Sequence, residues 1–159
     1  MTTTALAVKL VLDRWNGSLL SFSRFLNALP DTQLEQEVSP GKNRGIYLLG
    51  HLIAVHDEML PLLGWGEKKY PELTAPFLKE ADKSTELKVS VAELRNMWDD
   101  QISLFKEKLD SMTPEAWFEK HTAISAEDFE KEPHRNKLNV MITRTSHLQY
   151  HTGQLVLLA

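Results

Sequence analysis

"VKLVLDRWNGSLLSFSRFLNAL", Val8 to Leu29, decides the fold class. Its apolar residues Val8, Leu12, Trp15, Leu19, Phe22, Leu26 and Leu29 recur in alternating steps of four and three. An α-helix turns once per about 3.6 residues, so this spacing returns every one of them to the same side, the seam of a bundle helix. A half-buried strand would need alternation at every second residue instead. The predicted helix runs from about Thr4 to Leu29, where Pro30 and Asp31 end it.

Three more segments carry the same period. The second spans Asn43 to Leu63, with a wide apolar arc of Ile46, Leu49, Leu52, Ile53, Val55, Met59, Leu60 and Leu62, and "GWG" at Gly64–Gly66 stops it. The third opens with Ser90 and Glu93 in capping-box spacing, ahead of a stripe of Val91, Leu94, Trp98, Ile102, Phe105 and Leu109. The fourth runs from about Lys137 to the end. Two connections are long. Residues 64–89, with Pro71 and Pro76, read as an extended crossover between helices two and three; residues 111–136 hold "TPEAW", where Thr113 caps a short helix with Pro114 in its first turn. No strand period, repeat or low-complexity tract interrupts this pattern. The expectation is a single all-α domain over residues 1–159, a four-helix bundle with long crossover connections.

Composition narrows the function classes. Of 159 residues 42% are apolar and 25% charged, a globular balance. The net charge of -4 offers no electrostatic reason for nucleic acid as a partner. No apolar run reads as approaching the roughly 18–20 residues that cross a bilayer. Lys9 and Asp13 break the core a signal peptide would need, so a cytoplasmic protein is expected. The chain has no cysteine, which removes disulfides, thiolate metal sites and cysteine nucleophiles together. A metal must then be held by histidine and carboxylate, and a thiol reaction must use a thiol brought in by a cosubstrate.

The six histidines are His51, His56, His121, His134, His147 and His151. His147 and His151, in "SHLQYHTGQL", lie four apart and about 40° apart on a helix, so they project from one face. Val140, Leu148, Leu155 and Leu158 share that face within about 100°, so it is the buried one. Two inward imidazoles need partners, metal or hydrogen bonds. The pair is not a zinc-protease motif, because Leu148 stands where the general-base glutamate would be. A third ligand would complete the pattern of an open catalytic site. In helix two, His51 and His56 are about 140° apart and cannot both serve one ion. Periodicity alone would bury His56 and leave His51 at a helix boundary. His121 and His134 fall in the charged connection and read as solvated.

The combination of "YLLGHLIAVHDEM" and, later, "HLQYHTGQL" resembles the DinB/YfiT-like family of bacterial metalloenzymes. "LPDTQLEQEVSPGKNRGIYLLGHL" is similar to that family's passage from helix one to helix two. The resemblance implies a four-helix bundle with a divalent metal, zinc or nickel, on three histidines: one in the "GHL" stretch, two from HxxxH followed by "GQ". By position these are His51, His147 and His151, with His56 left to the core or behind a ligand. Relatives in that family include bacillithiol S-transferases and mycothiol-dependent maleylpyruvate isomerases. The resemblance therefore implies a small-molecule substrate and a low-molecular-weight thiol as partner. A metal-dependent hydrolase or isomerase is allowed by the same ligands. So is a non-catalytic bundle acting through homodimerisation, since the helix-one stripe suits either packing or dimer contact.

Four further residues are candidates for orienting a ligand or touching substrate. Glu58 lies two turns from His51 and about 20° off its face. Gln154 lies three residues past His151, and Tyr47 and Arg144 lie within a turn of the histidines. Arg144 suits an anionic substrate group, with a surface salt bridge as its ordinary role. "SPGKNRG" lacks the full phosphate-loop pattern, though Lys42 and Arg44 stand at a helix N-terminus where an anion could bind weakly. There is no GxSxG elbow, and Ser146 beside His147 has no third partner in view.

Overall fold

In the computed structural model, which describes residues 1–159, the Val8–Leu29 seam forms helix α1 (Thr3–Ala28). Val8, Trp15, Leu19, Phe22 and Leu26 are buried along it. Thr2 starts the helix by accepting the Ala5 amide at 3.1 Å. Three further long helices follow: α2 (Gly45–Asp57), α3 (Val91–Asp110) and α4 (Lys137–Leu155). Ser90 and Glu93 close the expected capping box on α3, with the Glu93 amide 3.2 Å from the Ser90 hydroxyl. Asn136 caps α4 at 2.9 Å. Only isolated bridges, Glu37–Arg44 and Lys120–Asn136, stand outside the helical pattern.

The second helix departs from the expected unbroken run to Leu63. It ends at Asp57, and a separate turn, Met59–Leu63, follows. Pro61 is the cause: it has no N–H to donate back to Asp57, and its ring crowds that carbonyl. Gly64 then closes the turn with φ +75, a conformation glycine adopts without strain. The stretch Gly45–Leu63 is long and apolar enough to meet the length and composition of a membrane span, contrary to the reading above. Within the fold 72% of its window is buried, which accounts for its apolarity.

Side-chain pairs set the helix directions. Gln149 of α4 reaches Ser18 of α1 at 3.1 Å, and Leu10 lines a groove with Ile142, so α1 and α4 run parallel. Arg95 of α3 donates to the Leu26 and Leu29 carbonyls, whereas Asn16 and Leu19 meet Leu109, so α1 and α3 run antiparallel. Gln101 of α3 donates to the Ile53 carbonyl at 3.1 Å and Phe105 meets Trp65, making α2 and α3 parallel neighbours. The ring order is α1, α4, α2, α3, up-up-down-down around the bundle. Two parallel neighbours cannot be joined by a tight turn, which is why 26 residues, 64–89, lie between them.

That crossover is not extended, as the two prolines suggested. It forms a 3-10 turn at Pro71–Leu73 and a wide π turn at Ala75–Lys79, which bury Leu73 and Phe77. Turns satisfy the backbone locally while the chain lies against a buried helix. Four residues of α2 and its cap then zip the crossover back along the helix. Asp57 accepts from the Lys69 and Tyr70 amides at 2.9 and 2.8 Å, and His51 bonds the Phe77 carbonyl at 2.8 Å. Tyr47 donates to the Glu80 carbonyl at 2.7 Å, and Arg44 holds the buried Asp82 through two guanidinium nitrogens. The second connection carries a turn at Glu115–Phe118, which buries Trp117, and a short helix, Ala126–Lys131. Trp15 and Trp98 sit in the core as expected; Trp117 joins them.

Candidate metal centre

His51 on α2 and His147 and His151 on α4 meet where these two helices cross. His147 Nε2 lies 3.2 Å from His51 Nε2 and 3.0 Å from His151 Nε2, and all three donor atoms fall within 4.8 Å of one another. The helical period explains the α4 pair; the antiparallel packing of α2 supplies the third. His56 does not take part. It is 1% exposed, packed edge-on against Trp15 with ring centroids 5.1 Å apart and close to Trp98 and Phe105. His134 is exposed, and His121 is half-exposed in the connection.

Each outer histidine is turned by a hydrogen bond at its far nitrogen. A carbonyl only accepts, so the Phe77 carbonyl places the proton of His51 on Nδ1 and leaves a lone pair on Nε2. Gln154 Oε1, 2.6 Å from His151 Nδ1, does the same there. Gly50 makes the first contact feasible: the Phe77 ring lies where a Cβ on residue 50 would stand, 2.3 Å away. His147 Nδ1 is buried without a partner.

This donor set fits a divalent cation. Two lone pairs face His147 Nε2, and a single proton there could satisfy only one of them. A shared ion accepts all three, and nitrogens each about 2.0–2.1 Å from one ion stand roughly 3–3.4 Å apart. Electrostatics point the same way. Burial, followed by the neighbouring His151, His51 and Arg144, pushes the His147 pKa down to about 4. Burial also lowers that of His151, against an opposing hydrogen bond from Gln154. At neutral pH both imidazoles are then in the metal-binding form.

The remaining candidates fall in different places. Gln154 touches a site histidine, as described. Glu58 does not; it is bound by Lys68, which also donates to Thr74 at 3.2 Å. The Tyr47 hydroxyl points to the Glu80 backbone and serves the crossover, although its ring stacks near His51. Arg144 lies one turn before His147 but forms no surface salt bridge, the role the sequence favoured for it. The Ser146 hydroxyl is turned back to the Ile142 carbonyl. The anion site imagined at Lys42 and Arg44 is not free, because Asp82 occupies the Arg44 guanidinium and accepts the Arg44 amide at 2.7 Å. The Phe77 carbonyl was missed, since a backbone oxygen leaves no mark in a sequence. Gly50 was a usable signal: a glycine inside a helix loses about 1 kcal/mol against alanine, so it tends to mark a close approach.

No curated protein matches this chain at a meaningful level. A family model described as the DinB superfamily matches residues 20–155, well over half of it. The match takes in the two helices that bring His51, His147 and His151 together, and by that match the chain belongs to the DinB superfamily.

Proposed function

We propose that this protein is a divalent-metal enzyme that transfers a low-molecular-weight thiol to an electrophilic small molecule. The observation that carries the reading is the convergence of three imidazole Nε2 atoms whose outer members are turned inward by Phe77 and Gln154. His51, His147 and His151 would hold the ion. Three neutral imidazoles suit zinc or nickel without choosing between them. When bound, such an ion lowers the pKa of a thiol or water that reaches it and so supplies a nucleophile at neutral pH. The chain contributes no thiol of its own, so the thiol is a cosubstrate. In the net transfer one S–C bond forms, the bond from that carbon to its leaving group breaks, and the thiol proton passes to solvent. A cytoplasmic setting, with neither nucleic acid nor membrane as partner, belongs to the same proposal.

The test offers bacillithiol, mycothiol, glutathione and coenzyme A in turn with a chromogenic electrophile. Turnover with one of them, lost in His147→Ala, is the expected result. No turnover with any would count heavily against transferase chemistry and leave hydrolysis or isomerisation at the same centre.

A second feature supports self-association, alongside or instead of catalysis. On the outer face of α1, Leu6, Leu10, Asp13, Gly17, Leu20 and Arg24 are all exposed and recur in steps of four and three. An antiparallel pairing that brings Asp13, held by Lys9 at 2.6 Å, beside Arg24 of the partner subunit also puts Leu20 opposite Gly17 of the partner subunit, where a Cβ would meet nothing within 4 Å. This complementarity favours a homodimer.

A further inference from the structure

Arg144 is a cation without a counter-charge. It lies on α4 one turn before His147, and its guanidinium is half-buried. Its Nε is shut off from solvent and has no acceptor. It takes part in none of the ion pairs of the structure. The carboxylate whose field reaches it belongs to Glu58, and that carboxylate is already bound by Lys68. A guanidinium stays charged at any physiological pH, and a buried donor of a charged group left unpaired costs free energy that an incoming acceptor would recover. Around α4 it lies about 60° from His147 and about 20° from His151, on the face that carries the three-histidine centre.

We propose that Arg144 docks a carboxylate of the small molecule that binds at the three-histidine site. The inference rests on that site being where substrate binds. Lys68 and Glu58 neutralise each other, so before any ion binds the charge of Arg144 is the one left for a group on the bound molecule. A carboxylate matches the planar fork of a guanidinium with two parallel hydrogen bonds, and its single charge balances that of the guanidinium. The carboxylate bound there would stand one helical turn from His147, so the reacting part of the same molecule faces the histidines.

The test begins with chelator-treated protein, so that it does not depend on metal. Acetate is titrated at constant ionic strength while the Arg144 Nε–H and the His147 ring are followed by NMR. Saturable shifts of both are expected, with the His147 shift lost in Arg144→Gln and partly restored in Arg144→Lys. Non-saturating shifts in wild type, or a His147 shift unchanged in Arg144→Gln, overturn the proposal. Tighter saturation by inorganic phosphate than by acetate overturns the carboxylate assignment. In zinc-loaded protein, mercaptoacetate should bind at least about tenfold more tightly than 2-mercaptoethanol, and Arg144→Gln should erase that margin. Equal affinities in wild type overturn the proposal as well. Failure to load zinc sinks the metal reading, while the acetate result still decides for or against Arg144.

Discussion

The ring of Phe77 fills the space that a side chain on Gly50 would occupy, with its nearest atom 2.3 Å from the Cβ position. Phe77 is fully buried and cannot swing away. Gly50→Ala therefore displaces the crossover, and with it the carbonyl that holds His51. Overpacking of this kind costs about 1–3 kcal/mol. Chemical denaturation should show that loss, and a metal titration should show weakened affinity. Adding Phe77→Leu to Gly50→Ala should recover part of both.

Metal loading follows from the three converging nitrogens. Wild-type protein purified without a His tag should carry one divalent ion per chain. Substituting His51, His147 or His151 by alanine should abolish stoichiometric loading. A chelator should lower the melting temperature of wild type but not of the variants, since an ion that binds only the folded state stabilises it by mass action. Absence of metal from wild type, with His147→Ala unchanged in stability, would falsify the metal reading.

Gln154 affects the ion through His151. Gln154→Leu removes the acceptor at Nδ1 and frees the ring to turn. Loss of such an orienting partner lowers metal affinity by about 10–100-fold. Competition against a chromogenic chelator measures it; an unchanged affinity would show that packing alone orients His151.

His56 sets an acid limit. Burial, then the charges of His147, Arg144 and His51, lowers its pKa to about 3 from an ordinary 6.5. The unfolded chain thus binds a proton that the folded chain refuses between those values. Its contribution to stability is present in full above about pH 6.5 and is lost as pH falls toward 3. In metal-free protein, His56→Leu should flatten the dependence of melting temperature on pH across that window. An unchanged slope would assign the acid sensitivity to other groups.

The outer face of α1 gives a prediction about assembly. In the proposed dimer Leu20→Glu would place a charge opposite Gly17 of the partner subunit, and it should shift sedimentation from dimer to monomer without lowering helix content. A wild-type protein that sediments as a monomer at all concentrations removes the dimer reading.

The bundle was legible because its period is local. Val8 through Leu29 needs no knowledge of neighbours to declare a buried helical face, and the Ser90–Glu93 box depends on residues three apart. The sequence misjudged places where local rules compete. Pro61 cut a helix whose apolar arc ran past it, and the crossover coiled where its prolines suggested extension. At the site, HxxxH was readable as a pair on one face. The choice of His51 over His56 came from the family pattern, because periodicity favoured burying His56 and could not say which neighbour each would meet.

By itself the sequence determined the all-α class, the capped start of α3, the shared face of His147 and His151, and the absence of any cysteine. These are properties of spacing along one helix or of composition. Only the tertiary structure decided that α2 runs antiparallel to α4, that the Phe77 carbonyl rather than a side chain turns His51, that Lys68 claims Glu58, and that Arg144 is left without a carboxylate. Each of those depends on which of several distant groups arrives first within about 3 Å, the reach of a hydrogen bond. That outcome is set by packing of the whole core and has no local signature.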